Sequence, residues 1–148
     1  YNSDQCTDYN GTLAALNTAI STPGDGSTPA APQKVVMFVS DGVADAYNPS
    51  TCTQPTTGGR CQEPINVANC QALIVSGTAI AEIYTTYLPI PTDSWYKQWI
   101  APFASSIGAK MQACASPGLY FEVNPSQGIA EAMQALFAKS VAQARLWQ

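Results

Sequence analysis

The stretch that decides the fold is Lys34-Val-Val-Met-Phe-Val-Ser-Asp41-Gly42-Val-Ala-Asp45. Its apolar and largely β-branched run ends abruptly at Ser40-Asp41-Gly42. An uncharged run of this length is typical of a strand that is buried on both faces, as in a parallel sheet covered by helices. The end of the run places a carboxylate and a glycine at the carboxyl end of that strand. Because open α/β sheets bind ligands at this edge, we expect function to reside around Asp41.

The rest of the chain alternates between helix and strand patterns. The spacing of apolar residues predicts strands at 34–40, 78–87 and 119–123. It predicts helices at 7–20, from Pro64 to Gly77, and in a final segment that includes Ile129 and Val141. A further helix, capped by Thr92 or Asp93, is expected to run to Cys114 and to be kinked or split by Pro102. Segment 21–33 is predicted to be a flexible linker, and 41–63 a long loop whose part 46–63 carries two cysteines. Alternating strands and helices imply an α/β domain over residues 1–148, with a parallel sheet of about three strands and flanking helices.

Composition excludes several classes of function. The chain of 148 residues has a formal net charge of −4, and its six basic residues are scattered along the sequence. Binding to nucleic acid or to an anionic membrane surface needs a basic patch, so we reject both. No apolar run approaches the roughly 20 residues that span a bilayer.

The five cysteines favour disulfides in an oxidising compartment, because the chain has no histidine and no Cys-x-x-Cys pair. Cys52 and Cys61 bracket a Pro/Thr/Gly-rich loop, which suggests a local clip. Cys70 and Cys114 fall on predicted helices and are candidates to join neighbouring elements. Cys6 is then left over, with a partner expected outside this chain. Spacing alone leaves the connectivity open, since five cysteines allow many pairings.

Several segments resemble a known family. The strand and turn at 34–43 resemble the fourth strand and following loop of a von Willebrand factor A domain. The later segments 81–92, 113–123 and 128–137 are similar to the carboxyl-terminal part of bacterial TadG-like proteins, which belong to the Tad (Flp-type) pilus assembly machinery. The resemblance runs from about Cys6 to Arg145. It implies the later part of a Rossmann-like von Willebrand A domain, with one or more amino-terminal strands outside this chain.

The resemblance also implies a metal-ion-dependent adhesion site. In such domains a divalent cation, here expected to be Mg²⁺, lies at the carboxyl ends of the strands. Asp41 matches the aspartate of the third ligand loop, Thr7 matches the threonine of the second, and Asp45 would add a ligand directly or through water. The Asp-x-Ser-x-Ser loop of the family is absent from this chain, so the expected metal site is incomplete. The partner-binding residues implied at this edge are Asp41, Gly42, Asp45 and Tyr47.

These observations favour a non-catalytic, extracytoplasmic protein-binding or adhesion module at the periplasm or cell surface, from a membrane-anchored parent protein. The expected partner is a pilus or surface protein. One alternative is a structural fragment that assembles into a filament or completes its sheet with another chain, since exposed strand edges recruit strands. A second alternative is a metal-assisted hydrolase using Asp41, Asp45 and Glu82. Each carboxylate also has a structural interpretation: Asp41 caps a turn, Asp45 is solvated in a loop, and Glu82 points to an edge or meets a backbone donor.

Overall fold

The fold is described by a computed structural model that covers residues 7–47, 49–124, 126 and 128–145. The helices are α1 (Tyr9–Ala19), α2 (Val67–Val75), α3 (Ser94–Trp99), α4 (Ala101–Ala104), α5 (Ile107–Cys114) and α6 (Ile129–Arg145). The strands are β1 (Val35–Ser40), β2 (Val43–Tyr47), β3 (Arg60–Pro64), β4 (Ala79–Thr85) and β5 (Tyr120–Val123).

The central sheet contains three parallel strands in the order β1-β4-β5. Val35 pairs with Ala79 and Ser40 with Tyr84, while Thr85 pairs with Val123 on the other side of β4. The first six residues of β4 are buried, as expected for a strand with neighbours on both edges and helices on both faces. The prediction of an α/β fold with about three parallel strands is therefore confirmed. The expectation that the strand before Asp41 is buried on both faces is wrong, because among the described residues β1 is an edge strand beyond the cover of α6, and Met37 and Val39 are exposed.

Helices cover the two faces of this sheet unequally. On one face Ile80 and Tyr84 pack in a core with side chains of α1, α2 and α5. On the other face Ala81 and Ile83 pack against Leu136 of α6. Alternate residues of β4 therefore face two separate apolar clusters, which fixes the strand between two helical layers.

The region predicted to be a long loop at 41–63 contains an antiparallel hairpin, so that prediction is wrong near its beginning and at its end. Strands β2 and β3 pair from Val43↔Pro64 to Tyr47↔Arg60. Buried alanines at 44 and 46 alternate with more exposed residues along β2, but alanine is a weak strand former and the alternation carries little signal in the sequence. Pro64 ends β3 and does not open a helix; α2 begins after Asn66, whose Oδ1 accepts a hydrogen bond from the Ala68 amide at 3.1 Å.

Two other boundaries differ from the expectations. Helix α1 begins at Tyr9, and Asp8 caps it by accepting from the Gly11 amide at 2.8 Å. Thr7 lies before the helix. The predicted helix up to Cys114 is divided into α3, α4 and α5. The break before α4 lies near Pro102, as the alternative of a split anticipated, whereas the second break, between α4 and α5, was not predicted. Segment 21–33 contains a bridge between residues 24 and 33, and its flexibility stays a prediction.

Two disulfides join the elements. The first is the predicted local pair, and the second joins the two cysteines that were expected to connect neighbouring elements, with a connectivity that the sequence had left open. Cys52 and Cys61 are joined with their Cα atoms 6.0 Å apart, which clips the loop before β3. Cys70 of α2 and Cys114 of α5 are joined across 44 residues, with Cα atoms 5.0 Å apart. The second bond closes the longer loop and is expected to contribute roughly 2–4 kcal/mol to the free energy of unfolding. Cys6 lies outside the described residues.

Candidate functional site

The three parallel strands end beside one another around a single cleft. This carboxyl-edge cleft has a volume of about 390 Å³ and is lined by Asp41, Thr85, Thr86, Tyr87, Leu88, Val123, Asn124 and Ile129. Asp41 follows β1, Thr86 follows β4, Asn124 follows β5, and Ile129 begins α6. All three strands of the central sheet therefore contribute to the edge where such sheets bind ligands.

Asp41 lies on the rim of this cleft with its side chain exposed. Its Oδ1 accepts a hydrogen bond from the Val43 amide at 3.2 Å, and the Gly42 amide donates to Ser40 Oγ at 3.0 Å. These bonds hold the tight turn between β1 and β2. The interpretation of Asp41 as a turn residue and its position at the cleft are thus compatible, because one carboxylate oxygen is enough for the turn.

Gly42 has a structural reason to be glycine. Its φ is +82°, and a Cβ built there would lie 2.4 Å from Ile107 Cγ2. The residue is buried against α5 and offers a partner little surface. Gly42 therefore positions Asp41 by allowing the chain to turn close to α5.

Tyr87 forms an aromatic wall of the carboxyl-edge cleft. Its ring stacks on that of Tyr96, with centroids 6.3 Å apart and planes inclined by 14°. Its amide donates to the Tyr84 hydroxyl at 3.1 Å. Burial raises the pKa of the Tyr87 hydroxyl, and the negative charge of Asp41 raises it further. The ring is therefore fixed on one side and close enough to Asp41 to feel its charge.

Aliphatic side chains complete the cleft. Leu88 is 60% exposed and Ile129 is 45% exposed, although both are fully apolar. Such side chains in a concave region with a few polar groups are typical of binding sites. Sequence reasoning missed Thr86, Leu88, Asn124 and Ile129. The rule that placed Asp41 at the site, namely that ligands bind at the carboxyl ends of parallel strands, could have found them. These residues follow the carboxyl ends of the other two parallel strands or open the next helix.

Asp45 lies apart from the cleft lining, in the middle of β2. Its carboxylate forms an ion pair with Arg60 and accepts a hydrogen bond from Gln62. Its main chain pairs with Thr7, whose amide donates to the Asp45 carbonyl at 2.9 Å. Tyr47 ends the same strand opposite Arg60 and is exposed. The structure thus brings Thr7, Asp45 and Tyr47 together on the hairpin, and the interpretation of Asp45 as a solvated loop carboxylate is wrong.

The residues present fit a magnesium ion poorly. Magnesium prefers octahedral oxygen coordination with carboxylates held in place. In the described part of the chain, the only group of three acidic, cysteine or histidine side chains close enough to share an ion is Cys52, Cys61 and Glu63, and its two cysteines are joined in a disulfide. Asp45 is already neutralised by Arg60. Of the predicted ligands, only Asp41 offers an exposed carboxylate, and magnesium binding there stays a prediction.

Glu82 is a buried carboxyl in the central strand. It pairs in register with Phe38 on one side and Tyr120 on the other, and it has no exposed surface. Neither carboxyl oxygen has a hydrogen-bond partner among the described residues. Burial raises its pKa to about 8. The expectation that Glu82 points to an edge or meets a backbone donor is therefore wrong, and a neutral carboxyl is the favoured form in the core.

Tyr9 is buried in the core, close enough to Asp41 and Glu82 to be influenced by their charges. Its ring contacts Phe38 edge to face at 5.4 Å. Burial raises the pKa of the Tyr9 hydroxyl, and the charges of Asp41 and then Glu82 raise it further, while the nearby Ser40 hydroxyl opposes the rise. The Tyr9 oxygen nevertheless has no hydrogen bond of good geometry among the described residues.

Comparisons with known proteins do not identify the chain: no family model, curated protein or solved structure matches it. In addition, no helix among the described residues combines the length and the apolarity that crossing a bilayer requires.

Proposed function

We propose that this chain is an extracytoplasmic, von Willebrand A-like protein-binding module of the kind associated with Tad pilus assembly, and that it binds its partner at the carboxyl-edge cleft. The observation that carries this proposal is the convergence of all three parallel strand ends on one cleft, with Asp41 on its rim. The resemblance of the sequence to the family supplies the class of module, and the cleft supplies the surface.

The chemistry of the cleft supports a protein partner. Exposed Leu88 and Ile129 would be removed from water by an apolar side chain of the partner, which contributes roughly 25 cal/mol per Å² of apolar surface buried. Asp41 adds one charged group, which would favour a single orientation of the bound partner. The two disulfides support an oxidising location such as the periplasm or the cell surface.

We infer binding instead of catalysis from the arrangement of the acidic groups. A hydrolase using Asp41, Asp45 and Glu82 would need the three carboxylates to converge on one substrate. Asp45 is instead paired with Arg60 on the hairpin, and Glu82 is enclosed in the core. The chain also contains no histidine to serve as a general base.

A site-specific photo-cross-linking experiment tests the proposed surface. The photoreactive residue p-benzoylphenylalanine is introduced at position 88 or, as a control, at position 75, where Val75 is an aliphatic residue 85% exposed at the end of α2. After irradiation in the source cells, we expect position 88 to give discrete protein adducts identified by mass spectrometry. Adducts at position 75 only, or the same adducts at both positions, would reject the cleft as the binding surface.

Completion of the sheet by another chain is a second candidate, and one observation favours it. Among the described residues β1 pairs only with β4, so its other edge has no strand beside it. On the face shared with α6, Met37 is 42% exposed and Val39 is 45% exposed, since α6 packs on β4 and β5. Exposed apolar edge strands are prone to pair with other chains.

Light scattering over a wide range of protein concentration tests this second candidate. If β1 mediates assembly, the mass should rise with concentration, and Met37→Lys should return it to that of a monomer while Val75→Lys should not. A monomer at every concentration would remove the candidate.

A further inference from the structure

The carboxyl-edge cleft has an uneven charge. Among the described residues that line it, Asp41 is the only charged one, and none is a lysine or an arginine. A second carboxylate lies next to the lining, because the Thr86 hydroxyl is 3.4 Å from Glu122 Oε1. A third acidic residue, Glu131, lies in the first turn of α6, two residues after Ile129. A partner group that enters this cleft therefore meets a local negative potential.

Aromatic and aliphatic surfaces accompany this charge. The Tyr87 ring lines the cleft and is held by its stack on Tyr96, so it presents a preorganised π surface. A cation near an aromatic ring gains from the ring quadrupole, and a planar guanidinium can stack on the ring while it pairs with a carboxylate. Leu88 and Ile129 border the same space and suit an aliphatic neighbour.

From these contacts we infer that the carboxyl-edge cleft receives a basic side chain of the partner protein, arginine in preference to lysine, flanked by an aliphatic residue. The guanidinium pairs with Asp41 and stacks on Tyr87, and the aliphatic side chain contacts Leu88 and Ile129. This inference rests on the proposed function and names the chemistry of its partner. It differs from a metal-bridged contact, in which Asp41 would hold a cation that binds an acidic side chain of the partner.

Three capped peptides serve as probes in a nuclear magnetic resonance titration of the ¹⁵N-labelled full chain. They are Leu-Arg-Leu, the neutral analogue Leu-citrulline-Leu, and Leu-Glu-Leu, each tested with and without Mg²⁺. We expect the arginine peptide to shift the amides of Thr86, Leu88 and Asn124 in a saturable manner. The citrulline peptide, which keeps the shape but not the charge, should bind about fivefold more weakly.

Matched variants assign the effect to the two recognition groups. Asp41→Asn keeps the oxygen that accepts from Val43 and removes the charge, so it should weaken the arginine peptide about fivefold and leave the citrulline peptide unchanged. Asp25→Asn makes the same change in net charge at an exposed residue of segment 21–33 and should have no effect. Tyr87→Phe should bind as the natural chain does, whereas Tyr87→Leu should bind more weakly.

Several outcomes would overturn the inference. Equal affinity for the arginine and citrulline peptides would show that charge plays no part, and stronger binding of Leu-Glu-Leu in Mg²⁺ would favour a metal-bridged contact. If no peptide shifts the cleft amides while position 88 still cross-links a protein, this partner chemistry is wrong and the proposed surface stands. If position 88 also gives no adduct, the proposed function fails with it.

Discussion

The two edges of the central sheet carry cavities of different size and chemistry. At the amino edge, a cavity of about 610 Å³ is lined by Gln33, Ile74, Gly77, Thr78, Ala79, Ser116, Pro117 and Gln143. It is larger than the carboxyl-edge cleft of about 390 Å³, but none of the described residues that line it is charged. Volume alone would therefore select the amino edge, whereas the charged lining residue lies at the carboxyl edge.

The polar side chains at the two edges of the sheet differ in what they contact. At the amino edge, the Ile80 amide donates to Ser116 Oγ at 2.9 Å, and Gln143 Nε2 donates to the Pro117 carbonyl at 3.1 Å. These polar side chains fasten the beginnings of the strands to the preceding turn and to α6. At the carboxyl edge, the exposed Asp41 carboxylate uses one oxygen for its turn and keeps the other toward solvent. The Thr78 hydroxyl of the amino-edge cavity also lacks a hydrogen-bond partner among the described residues, so the carboxyl edge differs by the exposed charge of Asp41.

The largest effect on unfolding free energy is expected in and beside β4. The side chains of Glu82 and Thr78 are buried there without a hydrogen-bond partner among the described residues. The pKa of Glu82 in the folded state is raised from 4.5 to about 8, so its contribution to stability is complete below pH 4.5 and is lost as pH rises toward 8. We expect the natural chain to lose roughly 3–5 kcal/mol of unfolding free energy over this window, measured by urea denaturation at several pH values.

Substitutions separate the two groups. Glu82→Gln should flatten the pH dependence, whereas Thr78→Val should leave it unchanged, because a hydroxyl does not titrate in this range. Glu122→Gln is the control for loss of an exposed glutamate. An unchanged pH profile in Glu82→Gln would show that Glu82 is not the group responsible.

The next effect compares one glycine at each edge. Gly42→Ala forces alanine to a φ of +82° and brings its Cβ to 2.4 Å from Ile107, so we expect a loss of about 3 kcal/mol in unfolding free energy. Gly77→Ala meets a φ of +99°, but its closest contact is Pro23 at 3.4 Å, and the expected loss is about 1–2 kcal/mol. Equal losses in denaturant unfolding would contradict the tighter packing of the carboxyl edge.

A smaller effect distinguishes two aspartates four residues apart. Asp45→Asn breaks the partly exposed ion pair with Arg60 and should lower the unfolding free energy by about 1 kcal/mol. Asp41→Asn keeps the turn and should change the unfolding free energy by less than about 0.5 kcal/mol. Thermal unfolding of both variants tests this order. A reversal would mean that Asp41, and not Asp45, is the structural carboxylate.

The smallest expected effect is that of magnesium. One exposed carboxylate binds Mg²⁺ weakly, so about 5 mM MgCl₂ should raise the unfolding temperature by no more than about 1 °C relative to EDTA. A rise of several degrees that disappears in Asp41→Asn would instead establish a magnesium site at the carboxyl edge.

Local sequence patterns predicted much of the fold because they depend on neighbours along the chain. The apolar run before Asp41 predicted a strand, and the alternation of helices and strands predicted parallel pairing, but the run did not reveal that β1 lies at the edge of the sheet with residues left partly exposed. The hairpin was missed because Ala44 and Ala46 are buried by contacts made far along the chain, and alanine does not favour strands. Likewise, Arg60 lies 15 residues from Asp45, so no local pattern revealed the ion pair.

By itself, the sequence determined the position of Asp41 at the carboxyl end of a strand, since a run of apolar residues that stops at Asp-Gly leaves few alternatives. It also indicated that Cys52, Cys61, Cys70 and Cys114 form disulfides, although it left their connectivity open. Only the tertiary structure decided which residues stand beside Asp41. Tyr87, Leu88 and Ile129 reach it because parallel pairing aligns the ends of β1, β4 and β5, and this alignment depends on the register between strands and not on the residues of any one of them.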